Sequence, residues 1–156
     1  MKKIIIALML CIVSIGGFCQ LQTKEIKYEY NTVYDIQMMG AWFGEISYSE
    51  NYGFALFSKS NNRFEDKLIG IHLGETKEEA IQSLYDIQKM RENGLESPLI
   101  VKGAYPDTFV ELYDIGSTFD THSIIMTQKY IAGEGNVIVQ MYNKTIKKCI
   151  EAISNY

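Results

Sequence analysis

Two histidines, a single cysteine beyond residue 19, and a scatter of carboxylates carry the catalytic and metal-binding potential of this chain. His72 lies in Ile-Gly-Ile-His-Leu and His122 in Phe-Asp-Thr-His-Ser. A zinc site would need both rings together with a carboxylate or thiolate. Nothing in their spacing demands that, and each reads as a solvent-facing histidine. Ser123, His72 and Asp120 could be drawn as a hydrolytic triad, but no Gly-x-Ser-x-Gly elbow presents the serine. Glu45, Glu111 and Asp114 fall on strand-like segments. They are formal candidates for glycoside hydrolysis, which needs two carboxyl groups held about 5–10 Å apart. The outer face of any half-exposed sheet carries such charges. Gly133-x-Gly135 lies in a turn between strands and opens no helix, so the phosphate-cradling geometry is missing. The sequence therefore assigns no catalytic residue, no metal and no cofactor.

The aromatic residues carry a more specific expectation. Tyr is abundant (11 residues) and Pro scarce (2), which suits a sheet-rich globular domain and not a linker. Tyr28, Tyr30 and Tyr34 share one strand parity, and Trp42, Phe43, Tyr48, Tyr52 and Phe54 surround a predicted hairpin. Packed beneath helices, these rings would be core. Open on a free sheet face, Trp42, Tyr48 and Tyr52 would form a platform for a sugar ring or a partner protein. Glu45 and Asn51 would add the polar contacts such a site needs. These five residues are the candidate ligand-binding set.

The elements that would position them follow from hydrophobic period. Residues 25–39 alternate over an unusual length, placing Tyr30, Tyr34 and Ile36 on one strand face with a break near Asn31. Residues 42–48 and 54–59 read as a hairpin around the turn 49–53, with a further turn at 60–63 and a strand at 68–73. Thr76-Lys77-Glu78-Glu79 has capping-box spacing, followed by an apolar stripe of Ala80, Ile81, Leu84, Ile87 and Met90. Asn93-Gly94 and Pro98 stop this helix. Strands at 99–102, 108–115, 123–131 and 137–142 follow, with a tight turn at 133–136. Ile146, Cys149, Ile150 and Ile153 then stand at i, i+3, i+4 and i+7 of a second helix. Asn143 serves as its N-cap, which also accounts for the glycosylation-like triplet Asn143-Lys144-Thr145. The predicted fold is α+β: a mostly antiparallel sheet with two helices packed on one face, in two strands-then-helix units. Cys149 falls on the apolar helix face, as a buried hydrophobe.

The first nineteen residues read as a secretory signal peptide. Lys2 and Lys3 precede an uncharged apolar run of about twelve residues, too short for the roughly twenty that cross a bilayer. Gly17 and Cys19 are the small residues flanking a cut after Cys19. Phe18, directly before Cys19, argues against lipoprotein processing. The Lys-Lys start and Cys-Gln junction resemble the leaders of exported Gram-negative bacterial proteins. Residues 20–156 then form a single domain with one cysteine and no internal disulfide. Loss of Lys2 and Lys3 leaves 13 basic residues against 19 acidic. So acidic a chain has no basic stripe for nucleic acid and no attraction to anionic membrane surfaces.

The expected protein is a small, secreted or periplasmic, non-enzymatic domain. It would bind a protein or glycan ligand through an exposed sheet face or edge. The alternatives are a hydrolase acting on a cell-envelope or dietary polymer, and a self-associating structural subunit. A cleft gathering a histidine with two carboxylates would mark the first alternative. A long uncovered edge at 26–38 would mark the second. Export is testable by mass spectrometry of the protein recovered outside the cytoplasm. Its first residue should be Gln20; recovery with Met1 intact, or with a lipidated Cys19, contradicts the leader assignment.

Overall fold

The computed structural model describes residues 29–38, 40–59, 68–118, 121–128, 136–139 and 141–156. They form two antiparallel meanders, each followed by a helix. The first comprises β1 (Asn31–Met38), β2 (Ala41–Ser49), β3 (Gly53–Lys59) and β4 (Leu68–Gly74), then α1 (Lys77–Asn93). The second comprises β5 (Leu99–Lys102), β6 (Phe109–Thr118), β7 (Thr121–Gln128) and β8 (Asn136–Val139), then α2 (Asn143–Asn155). Within each sheet the spatial order follows the chain order. The α+β class, the antiparallel pairing and the repeated order of elements are those expected from the sequence. None of the helices among the described residues is long and apolar enough to cross a membrane.

The sheets meet at β4 and the end of β5. Ile71 bridges Gly103, and the Ala104 N–H donates to the Gly70 carbonyl at 2.9 Å. One apolar core lies across this junction. Ile46, Leu56 and Ile71 enter it from the first sheet, Leu112 and Met126 from the second, and Leu84 and Ile146 from the two helices. Burying each such side chain is worth about 1.5–3 kcal/mol. α1 packs on β4, on β7 and against α2, so it covers both sheets; α2 reaches β1.

The helix termini show why these segments are helical. The Thr76 hydroxyl accepts from the Glu79 N–H at 3.2 Å, while the Glu79 carboxylate accepts from the Thr76 N–H at 3.3 Å. Both arms of the capping box are therefore made. At the other end Gly94 takes φ 80° and donates its N–H to the Met90 carbonyl at 2.8 Å. Ala80, Leu84 and Ile87 are buried as predicted. Arg91 is also buried, its guanidinium lying 5.7 Å from the centre of the Tyr142 ring. In α2, Ile146, Cys149 and Ile153 are fully buried. Burial pushes the Cys149 thiol up to about 12, so it packs as a hydrophobe and stays protonated at neutral pH.

Three local expectations are corrected. Tyr30 and Tyr34 do not share a face. A register shift between Thr32 and Tyr34 inserts an extra residue into β1, so Tyr34 meets the main core and Tyr30 joins a separate cluster behind the sheet. Asn143 does not cap α2. Tyr142 occupies the N-cap without a side-chain cap bond, and the Asn143 amide instead donates to Glu92 at 3.1 Å. His122 is not solvent-facing, as shown below. β8 is described over Asn136–Val139, and Tyr142, expected in this strand, is instead the residue that opens α2. The predicted turns at 60–63 and 133–135 lie outside the described residues.

Behind the first sheet, close contact depends on a missing side chain. A Cβ on Gly70 would lie 2.5 Å from the Phe57 ring and 2.7 Å from the Ala104 Cβ. Gly70→Ala should therefore destabilise the fold by about 1–3 kcal/mol through overpacking. Denaturant unfolding measures this, and an unchanged midpoint contradicts the close packing at the junction.

Candidate functional site

The residues that converge do so on the face of the first sheet turned away from the helices. Alternation along β3 sends Phe54 and Leu56 to the main core, and Ala55 and Phe57 to the opposite side. Both faces of β3 are thus covered, and its residues 54–57 run apolar without polar interruption. Tyr30 stands edge-on to Phe57, with ring centres 5.0 Å apart at 80°, and edge-on to Tyr105 at 6.4 Å. Tyr52 stacks near Tyr30 at 6.4 Å, and Phe57 contacts Tyr105 at 5.7 Å. These offset and edge-to-face arrangements satisfy the ring quadrupoles. The Tyr30 hydroxyl donates to the Ala104 carbonyl, tying the residue before β1 to the sheet junction.

A pocket of about 240 Å³ opens beside this cluster. Its walls are the rings of Tyr52, Tyr105 and Pro106; His72, Lys102 and Asp107 supply polar groups, and Ala104 contributes to the lining. Each is placed by local backbone logic. Tyr52 ends the β2–β3 turn. His72 points away from Ile71 and Leu73, as its strand parity predicts. Residues 105–108 make a tight turn in which Thr108 donates both its N–H (3.2 Å) and its hydroxyl (2.6 Å) to the Tyr105 carbonyl. Pro106 takes the second position and Asp107 the third, where it adopts φ 57°. Proline then a left-handed residue is the pattern of a type II turn, and Asp tolerates that conformation better than most residues.

The surroundings of the pocket favour the neutral forms of His72 and Tyr105. Burial lowers the His72 pKa, Lys102 lowers it further, and Glu75, Glu79 and a hydrogen bond to the Tyr52 main chain oppose them in part. His72 is therefore neutral at pH 7. Burial raises the Tyr105 phenol, and the Glu45 carboxylate adds to the effect, which places Glu45 within electrostatic reach of the pocket. Glu45 is itself held by the Ser47 hydroxyl at 2.7 Å.

The five residues of the candidate set separate. Tyr52 lines the pocket and Glu45 adjoins it. Tyr48 has the opposite parity and packs on Phe54 and Tyr156, with ring centres 4.7 and 5.3 Å away. Asn51 is exposed at the tip of the turn. Trp42 lies toward the far end of β2, roughly 20 Å along the strand, with its indole donating to Asp35 at 3.2 Å. His72, Lys102, Tyr105 and Asp107 were not in that set. His72 could have been added from parity alone; the other three come from the second half of the chain, with no sequence signal linking them to the first hairpin.

The candidate carboxylates do not face one another. Glu45 belongs to the first sheet. In the second, Glu111 alternates away from Val110 and Leu112, whereas Asp114 turns toward the end of α1. Asp114 accepts from Gly116 N–H at 2.7 Å and Leu95 N–H at 3.1 Å, and lies 2.6 Å from His122 Nδ1. Partial burial works against ionisation of Asp114, yet the two N–H groups and the His122 ring hold its pKa below the ordinary carboxylate value. A Cβ on Gly94 would meet Asp114 Oδ2 and the His122 ring at 2.6 Å, so the pair closes directly over the α1 terminus. It fastens a helix end to a sheet. Asp120, drawn earlier with Ser123 and His72, lies outside the described residues. Among the described residues no three His, Cys, Asp or Glu side chains gather as metal ligands.

Tyr30 provides a direct test of the aromatic cluster. Burial, followed by the neighbouring Tyr105 and Tyr52 phenols, pushes it from 10.0 up to about 12. The folded state thus favours the neutral phenol. That stabilisation is complete below the unfolded value and disappears as pH rises from 10.0 through about 12. Tyrosinate absorbance should show a late-titrating component that Tyr30→Phe removes. Its absence from the wild-type curve contradicts the burial of this hydroxyl.

No protein-family model, no curated protein and no solved structure matches the chain.

Proposed function

We propose that this chain is an exported recognition domain and that its ligand docks in the tyrosine-walled pocket at the junction of the two sheets. The observation that carries this reading is the pocket's composition. Two tyrosines and a proline line it together with polar groups of both charge signs, as expected for a ligand site. Dispersal of the candidate carboxylates among separate environments favours binding over hydrolysis. The leader-like first nineteen residues support action outside the cytoplasm, with a protein or glycan of the envelope or medium as the ligand. Edge-on association has less support. β1 is the outer strand of the first sheet, but two register shifts interrupt its edge and α2 packs against it.

Affinity capture from the native envelope or medium tests the proposal. The wild-type chain should recover a specific component that Tyr52→Ala recovers at least about tenfold less efficiently, the loss expected for an anchoring aromatic. Equal capture by both proteins contradicts the pocket as the docking site. Reproducible turnover of a polymeric substrate, lost in Glu45→Gln, would replace the binding proposal with a hydrolytic one.

A further inference from the structure

We infer that the unit held by this pocket is one neutral sugar ring at the end of a glycan. The inference rests on the binding role proposed above and narrows it to a ligand class. Size is the first consideration. A volume of about 240 Å³ lies below the roughly 300–1,000 Å³ of sites that enclose a whole drug-sized molecule. The pocket therefore has room for one ring-sized unit.

Polarity then selects among ring-sized units. An apolar side chain would offer no hydrogen bond to the half-buried His72 edge or to the exposed Lys102 and Asp107 groups at the rim. A charged side chain would meet Lys102 and Asp107 together, one attractive and one repulsive. Hydroxyl groups suit the arrangement because each both donates and accepts. Lys102 supplies donors and the Asp107 carboxylate acceptors. His72, neutral and already hydrogen-bonded to the Tyr52 main chain, adds a further polar ring edge. The lining completes the match: Tyr52 and Tyr105 bring aromatic rings, which suit the C–H face of a pyranose, and Pro106 adds apolar surface beside them.

The test is an amide and side-chain NMR titration of the purified chain with the methyl glycosides of glucose, galactose, mannose and N-acetylglucosamine. N-acetyl-phenylalanine amide serves as the apolar side-chain probe. At least one glycoside should give saturable shifts confined to Tyr52, His72 and residues 102–108, and the amide none. Tyr105→Ala should weaken glycoside binding at least about tenfold. Because Tyr105 also packs on Phe57, Lys102→Met is the second variant. It removes an exposed cation from a strand surface and should weaken binding several-fold without lowering Tm. Silence with every glycoside, or equal shifts from the amide, overturns the sugar assignment. Pocket-dependent capture of a component alongside silent glycosides refutes the sugar alone. Capture indifferent to Tyr52→Ala refutes the binding site itself.

Discussion

Everything in this architecture passes through the contact between β4 and the residues following β5. Its backbone part among the described residues is small: a bridge between Ile71 and Gly103, and a hydrogen bond from Ala104 to Gly70. Both glycines are required there by space. Gly70 admits the Phe57 ring and Ala104, and a Cβ on Gly103 would collide with the Thr108 side chain. The backbone bonds alone are worth little, about 1 kcal/mol each. The junction is stabilised from both sides, by the shared apolar core under α1 and by the Tyr30, Phe57 and Tyr105 rings behind it. The pocket is a by-product of this geometry. Its residues come from both meanders and converge only because the junction holds.

Much of the fold was legible in the sequence because it depends on short-range rules. The capping box at Thr76 and Glu79, the helical stripes and the glycine stop all act within a few residues of themselves. The alternation of β3 and β4 likewise identified His72 as facing away from the core. What escaped had a long-range or cumulative cause. One extra residue between Thr32 and Tyr34 transferred Tyr30 to the opposite face; a break was expected near Asn31, but its consequence for parity depends on the pairing with β2. Asp114 and His122 meet through strand register and the approach of α1.

The candidate site was legible to the same extent. Tyr52 and Glu45 were identified from the first hairpin and do lie at or beside the pocket. Tyr48 was grouped with them on residue type, although its parity already placed it on the helix side. Tyr105 and Asp107 occupy a turn that reads from sequence as an ordinary loop between strands. Their role depends on the second meander docking beside the first, which local periodicity does not encode.

The contact of α2 with β1, and of the Tyr156 ring with Tyr48 and Phe54, means that the last helix closes over the earliest described strand. A chain emerging from the ribosome amino-terminus first must hold β1 to β3 without this cover until residues 143–156 have been made. Contacts so distant in sequence slow folding, since a long loop must be closed before they form. The two meanders thus mature together rather than one after the other, and until α2 is made the apolar face of the first sheet is open to whatever chaperone it meets first.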